Sequence, residues 1–116
     1  MRSIRSRLAQ TSRLAAATGI AGLSIEDSTG DEQQPLFEFD LAVERVRAAR
    51  RAIDESGTGV VLTGRSEGLC SGARTSRETI RRLCAFAEAG ADCLYAPRIT
   101  TVEDITAIMA AVTPNP

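Results

Sequence analysis

Three times along the chain a short apolar run is followed by a helix-period pattern and then by a turn, and no other feature limits the possible folds as strongly. Ala21 to Glu26 reads as the first strand. Asp40 reads as the cap of a helix whose apolar side is Val43, Val46, Ala49 and Ile53 and whose stop is Gly57. The second unit opens with Val60 to Thr63, a β-branched run that suits a strand buried on both faces. A capping box at Thr75-Ser76-Arg77-Glu78 starts its helix, with Ile80, Leu83, Cys84 and Ala87 as the expected buried stripe and Gly90 as the end. The third strand, Asp92 to Ala96, stops at Pro97, and Thr101 to Asp104 caps a last helix with Val102, Ile105, Ile108, Met109 and Val112 on one side. Strand-helix units of ~30 residues or more in series require right-handed crossovers and a parallel sheet, so the fold class is α/β.

Composition supports this and removes several chemistries. Aromatic residues are 3% of the chain and none is Trp, so the interior must be built from Val, Ile, Leu and Ala, as in helix-covered parallel sheets. All 14 basic residues are Arg, and there is neither Lys nor His. A Schiff base, a phosphate-loop lysine, an imidazole base and a histidine metal ligand are therefore unavailable within the chain. Arg2, Arg5, Arg7 and Arg13 are unopposed until Glu26, but no basic stripe continues beyond them, so no nucleic-acid partner is expected. No apolar run approaches the ~20 residues that a bilayer demands. Cys70, Cys84 and Cys93 lack paired metal spacing, and their odd number suits reduced thiols in a cytoplasmic protein. Cys84 and Cys93 fall at expected core positions, and Cys70 is expected in a loop as a bystander thiol with no imidazole base to activate it.

Two segments are expected. Residues 1–18 read as an outer amphipathic helix carrying Ile4, Leu8 and Ala15, stopped by Gly19, although an Arg-rich stretch free of acids is also how organellar presequences look. Residues 19–116 form the strand-helix domain.

In parallel-sheet folds the chemistry sits beyond the carboxyl ends of the strands. Those ends read Glu26-Asp27, Arg65-Ser66-Glu67 and Pro97-Arg98. Spacing alone leaves two readings of Asp27, Ser28 and Thr29: part of a site, or an Asx or Ser/Thr turn ahead of Gly30. Gly64 and Gly68 flank the second strand end, either to admit a ligand close to the backbone or as loop flexibility.

The runs AGLSIEDSTGD, LAVERVRAARRAIDESG, VVLTGRSEG and ETIRRLCAFAEAGADCLYAPRI together resemble the isocitrate lyase and phosphoenolpyruvate phosphonomutase family, in its prokaryotic phosphonomutase-like branch, over about Leu14 to Pro116. The resemblance implies part of a TIM (β/α)8 barrel, about three βα units corresponding to the family's units four to six, preceded by a helix. It also implies a Mg2+-dependent lyase or phosphonomutase-type enzyme acting on a small 2-oxo acid through an enolate-like intermediate, with C–C or P–C bond chemistry. Glu26 matches the family's carboxylate that reaches the metal through water, and the adjacent Asp27 would orient those waters or stabilise the loop. Arg65 matches the strand-five arginine, a catalytic and substrate-binding residue whose planar fork suits a carboxylate. Glu67 matches an acidic catalytic position whose role lies between contact with metal-bound water and holding Arg65.

The departures are equally informative. The family's metal-binding aspartates after strand three have no counterpart, and STGDEQQPLFEFD stands where the lyase branch carries a Lys- and Cys-containing loop. Arg98 takes a place where the resemblance implies a small residue, often glycine. A full barrel needs ~250 residues. The expectation is therefore a chain inactive alone, completed by further units from a longer reading frame, a second copy or a complementing chain. The alternative is a catalytically inactive half-barrel, a remnant or an interaction module.

Overall fold

The computed structural model describes residues 4–68, 76–99 and 101–112. Helix α1 (Ile4–Ala17) leads into β1 (Gly22–Glu26), α2 (Phe39–Ser56), β2 (Val61–Arg65), α3 (Ser76–Glu88), β3 (Cys93–Tyr95) and α4 (Val102–Val112). The strands form one parallel sheet in the order β1-β2-β3. Its register sets Glu26 beside Arg65 and Arg65 beside Tyr95. This is the α/β architecture of three βα units behind a helix that the periodicity predicts.

Because side chains alternate along a strand, Gly22, Ser24 and Glu26 share a face with Val61, Thr63 and Arg65 and with Cys93 and Tyr95. That face is open. Val61 is 42% exposed and Tyr95 52%. The opposite face carries Ile25, Leu62 and Gly64 and is covered by α2 and α3, where Val46, Ala49, Ile53, Leu83 and Phe86 complete the core. The expectation that Val60 to Thr63 is buried on both faces therefore fails at Val61 and holds at Leu62, which is fully buried. Cys93, expected in the core, lies exposed on the open face for the same reason, while Cys84 is half-buried.

Helix α2 buries Val43, Val46, Ala49 and Ile53 as its 3.6-residue period demands. Its cap is Glu38 rather than Asp40, with no side-chain bond to the backbone, and Asp40 lies in the first turn, where a carboxylate meets the positive end of the helix dipole. Gly57 ends it in the left-handed conformation. Arg50, paired with Asp54 one turn along the helix, also reaches Asp92 at 3.0 Å and the Gly90 carbonyl at 3.1 Å. It thereby fastens α2 to the turn before β3.

In α3 the buried positions are Thr79, Arg82, Leu83 and Phe86. The expected stripe of Ile80, Leu83, Cys84 and Ala87 is thus rotated, with Ala87 exposed. Two contacts impose the rotation: Arg82 pairs with a buried carboxylate, and Phe86 packs on Gly64, where an added Cβ would lie 3.1 Å from the phenylalanine Cβ. Gly64 therefore serves helix packing rather than ligand approach or loop flexibility. Thr101 caps α4 as predicted, its hydroxyl accepting from Asp104 N–H at 3.1 Å. No described residue of α4 is buried, and a groove of about 170 Å³ lined by Leu83, Leu94, Ile105 and Met109 runs between it and the sheet. Helix α1 packs along α2, with Ala16 in the core and Leu8 half-buried against it. No described helix is long and apolar enough to cross a membrane. Cys70, and Thr75 of the expected capping box, lie outside the described residues.

The two faces of β2 should respond differently to truncation. Leu62→Ala is expected to cost about 2–5 kcal/mol in urea unfolding, and Val61→Ala no more than about 0.5 kcal/mol. Equal losses would show that the open face is covered in solution.

Candidate active site

The site grows from the carboxyl ends of the three strands. Backbone pairing continues past them: Asp27 N–H donates to the Arg65 carbonyl at 3.2 Å, and Ser66 N–H to the Tyr95 carbonyl at 3.0 Å. Adjacent residues consequently point to opposite sides of the sheet. Glu26 and Arg65 go to the open face, whereas Asp27 turns inward among the helices and is fully buried.

A buried carboxylate needs donors, and Asp27 has three. Its Oδ1 accepts the Glu67 amide at 2.7 Å, and its Oδ2 accepts the Ser66 hydroxyl at 3.0 Å and Arg82 at 3.1 Å. Arg82 in turn donates through Nε to Glu78 at 3.0 Å. Burial opposes ionisation of Glu78, but hydrogen bonds from Arg82 and Arg81 outweigh it and hold its carboxyl below the ordinary value.

On the open side Arg65 contacts Glu67 directly and Glu26 at 3.6 Å, and its guanidinium lies 5.5 Å from the centre of the Tyr95 ring. Its Nε–H has no hydrogen-bond partner among the described residues. Burial, followed by the hydrogen bond and charge of Glu67, raises the Glu26 pKa above the ordinary value, and the Arg65 charge only partly offsets this. The loop after β1 is anchored from behind. Phe37 N–H donates to the Asp27 carbonyl at 2.8 Å, Arg45 stacks 4.2 Å from the Phe37 ring centre while donating to the Glu26 carbonyl, and Arg81 stacks 3.7 Å from that of Phe39. Thr29 N–H donates to the Pro35 carbonyl at 2.9 Å, and Asp31 forms an Asx turn with Gln33. Turn chemistry thus begins at Thr29, and Asp27 belongs to the strand-end network.

Glu26, Arg65 and Glu67, singled out from the sequence, are brought together, and Asp27 sits directly beneath them. Arg82, Glu78, Ser66 and Tyr95 went unrecognised. The signal for Arg82 was an arginine one residue before Leu83 in the stripe, with Glu78 four residues earlier. Arg98 adopts φ 68°, the left-handed region that favours glycine, which accounts for the small residue that the resemblance implies there.

Residues 4–116 match the phosphoenolpyruvate phosphomutase family. The chain belongs to that family. Among solved structures, a candidate lyase/mutase from Burkholderia cenocepacia J2315 is 43% identical over 94% of this chain and 39% of its own, with a TM-score of 0.90. A 2,3-dimethylmalate lyase, itself a member of the phosphoenolpyruvate mutase/isocitrate lyase superfamily, is 28% identical over 93% of this chain and 37% of its own, with a TM-score of 0.81. A phosphonopyruvate hydrolase in complex with oxalate and Mg++ is 25% identical over 96% of this chain and 39% of its own, with a TM-score of 0.77. Comparison with curated proteins gives no match. The phosphomutase-family chain therefore spans about two fifths of the length of these relatives, as a three-strand sector of a TIM-barrel-like fold.

The raised Glu26 value fixes a pH dependence. A carboxyl whose folded value lies above its unfolded one contributes stability that is complete below the unfolded value and is lost as pH rises through the folded value. Relative to Glu26→Gln, the native chain should therefore lose melting temperature as pH climbs from 4.5 upward, and the two should converge below it. A difference independent of pH would contradict the assignment.

Proposed function

We propose that this chain supplies one sector of a strand-end site that binds the carboxylate of a small 2-oxo acid, in an enzyme that makes or breaks a C–C or P–C bond through an enolate-like charge. Arg65 carries the reading: it ends the central strand on the open face with its side chain one-third exposed, and Glu67 and Glu26 hold its Nη2. The planar guanidinium of an arginine at this place suits capture of a substrate carboxylate. The Tyr95 ring lies beside the guanidinium. Glu67 serves to hold Arg65, and Asp27, with both oxygens occupied, serves to hold the loop.

The oxalate and Mg++ of the related hydrolase support this substrate and cofactor class. A magnesium ion, when bound, polarises a substrate oxygen and stabilises an enolate. Glu26, partly exposed beside Glu67 with a raised pKa, fits contact with such an ion through water. Among the described residues, however, no group of three or more His, Cys, Asp or Glu side chains is placed to hold a metal. The residues present are thus not a complete ligand set. We assign the rest of the site to further βα units lying over the open face of the sheet, from a continuing polypeptide or a partner chain. The incomplete ligand set favours a second reading, a catalytically silent half-barrel when those units are absent.

Calorimetric titration with oxalate, with and without magnesium, separates these readings. The chain should bind oxalate, Arg65→Ala should weaken binding at least about tenfold, as expected for loss of a charge-assisted pair, and the chain alone should not turn over oxaloacetate. Oxalate binding indifferent to Arg65 would overturn the proposal, and no binding by the native chain would leave the silent half-barrel.

A further inference from the structure

The proposed site uses the open face of the sheet, yet the most deeply buried charges lie on the other side. The Arg82 and Asp27 side chains are 1% and 0% exposed. We propose that Arg82 is a positioning residue for the strand-end site: from α3 it fixes the Asp27 carboxylate, and through it the Glu67 backbone and the Arg65 guanidinium. Its consequence for ligand binding rests on the function proposed above, whereas its consequence for the loop does not.

The chain of contacts is continuous. The Arg82 fork offers Nε to Glu78 at 3.0 Å and Nη1 to Asp27 at 3.1 Å, and because the guanidinium is planar these two anchors fix its orientation. The direction of Asp27 is thereby set by α3, a helix that follows the site in sequence. Asp27 holds the Glu67 amide at 2.7 Å and the Ser66 hydroxyl at 3.0 Å, so the two residues after Arg65 cannot shift without breaking a bond to a buried charge. The Glu67 side chain then contacts Arg65. Buried ion pairs generally add little stability over a well-packed apolar replacement, and what this one supplies is orientation. Neither Asp27 nor Arg82 faces the open side, so their effect on a ligand passes through Glu67 and Arg65.

Amide hydrogen exchange on the full 116-residue chain, with oxalate affinity as a second readout, tests this. Arg82→Met keeps the length and apolar stem of the side chain and leaves Asp27 unclamped. The expected result is exchange at the Glu67 amide at least about tenfold faster, with the α2 amides of Val46 and Ile53 unchanged, and oxalate affinity weakened in parallel. Arg82→Lys, which keeps the charge but cannot span both carboxylates, should give an intermediate value. Should Arg82→Met fail to fold, Glu78→Gln removes the charge from the second anchor at a partly exposed position and should accelerate Glu67 exchange severalfold. Native exchange at Glu67 in a folded Arg82→Met chain, or in Glu78→Gln when the former does not fold, would overturn the proposal, as would acceleration spread uniformly over α2. Absence of oxalate binding in the native chain would defeat the functional reading alone, since Glu67 exchange still judges the positioning.

Discussion

The carboxylate of Asp27 is the fixed point of this molecule. A fully buried carboxylate is tolerated only when its oxygens are met by donors, and here those donors come from the end of β2 and from α3. Three consequences follow from that one requirement. The Ser66-Glu67 segment is pinned against β1, Arg82 is drawn inside its helix, and the buried stripe of α3 turns to accommodate it. Because neighbouring strand residues alternate, fixing Asp27 inward also fixes Glu26 outward. The adjacent pair thus divides its work, with one carboxylate toward the helices as anchor and the other toward the open face.

That open face is the second organising fact. Parallel sheets normally bury both faces, and here the described residues cover only one. Small residues at Gly22, Ser24 and Cys93 and the apolar Val61 occupy it, with the charged group of Glu26 and Arg65 at its carboxyl end. Relatives more than twice as long share this sector with high structural similarity. The change from a face of small and uncharged residues to a charged rim is what a barrel interior would present to its remaining strands.

Much of this was legible in the sequence because it depends on period and on local chemistry. Val43, Val46, Ala49 and Ile53 recur at helical spacing and are buried, Gly57 supplies a left-handed stop, and the Thr101 hydroxyl caps α4. The association of Glu26, Arg65 and Glu67 followed from the rule that parallel strands deliver their carboxyl ends to one side. What escaped depends on pairings distant in sequence. The Arg82–Asp27 bond joins residues 55 apart, and the place of Arg82 beside Leu83 with Glu78 four residues earlier hints at an inward arginine without naming its distant partner. Cys93 and Val61 looked like core residues because a strand carries no mark of whether its second face is covered. Asp40 suited a cap by residue type, but the cap of α2 is Glu38, two residues earlier.

The most direct test of this account is the stability of Asp27→Asn in urea unfolding. The side chain stays nearly isosteric while Arg82 keeps only Glu78 as a counter-charge. Removing one member of a fully buried ion pair is predicted to cost about 3–5 kcal/mol. A loss below about 1 kcal/mol would mean that Glu78 alone suffices for Arg82 and that the strand ends do not depend on the Asp27 charge.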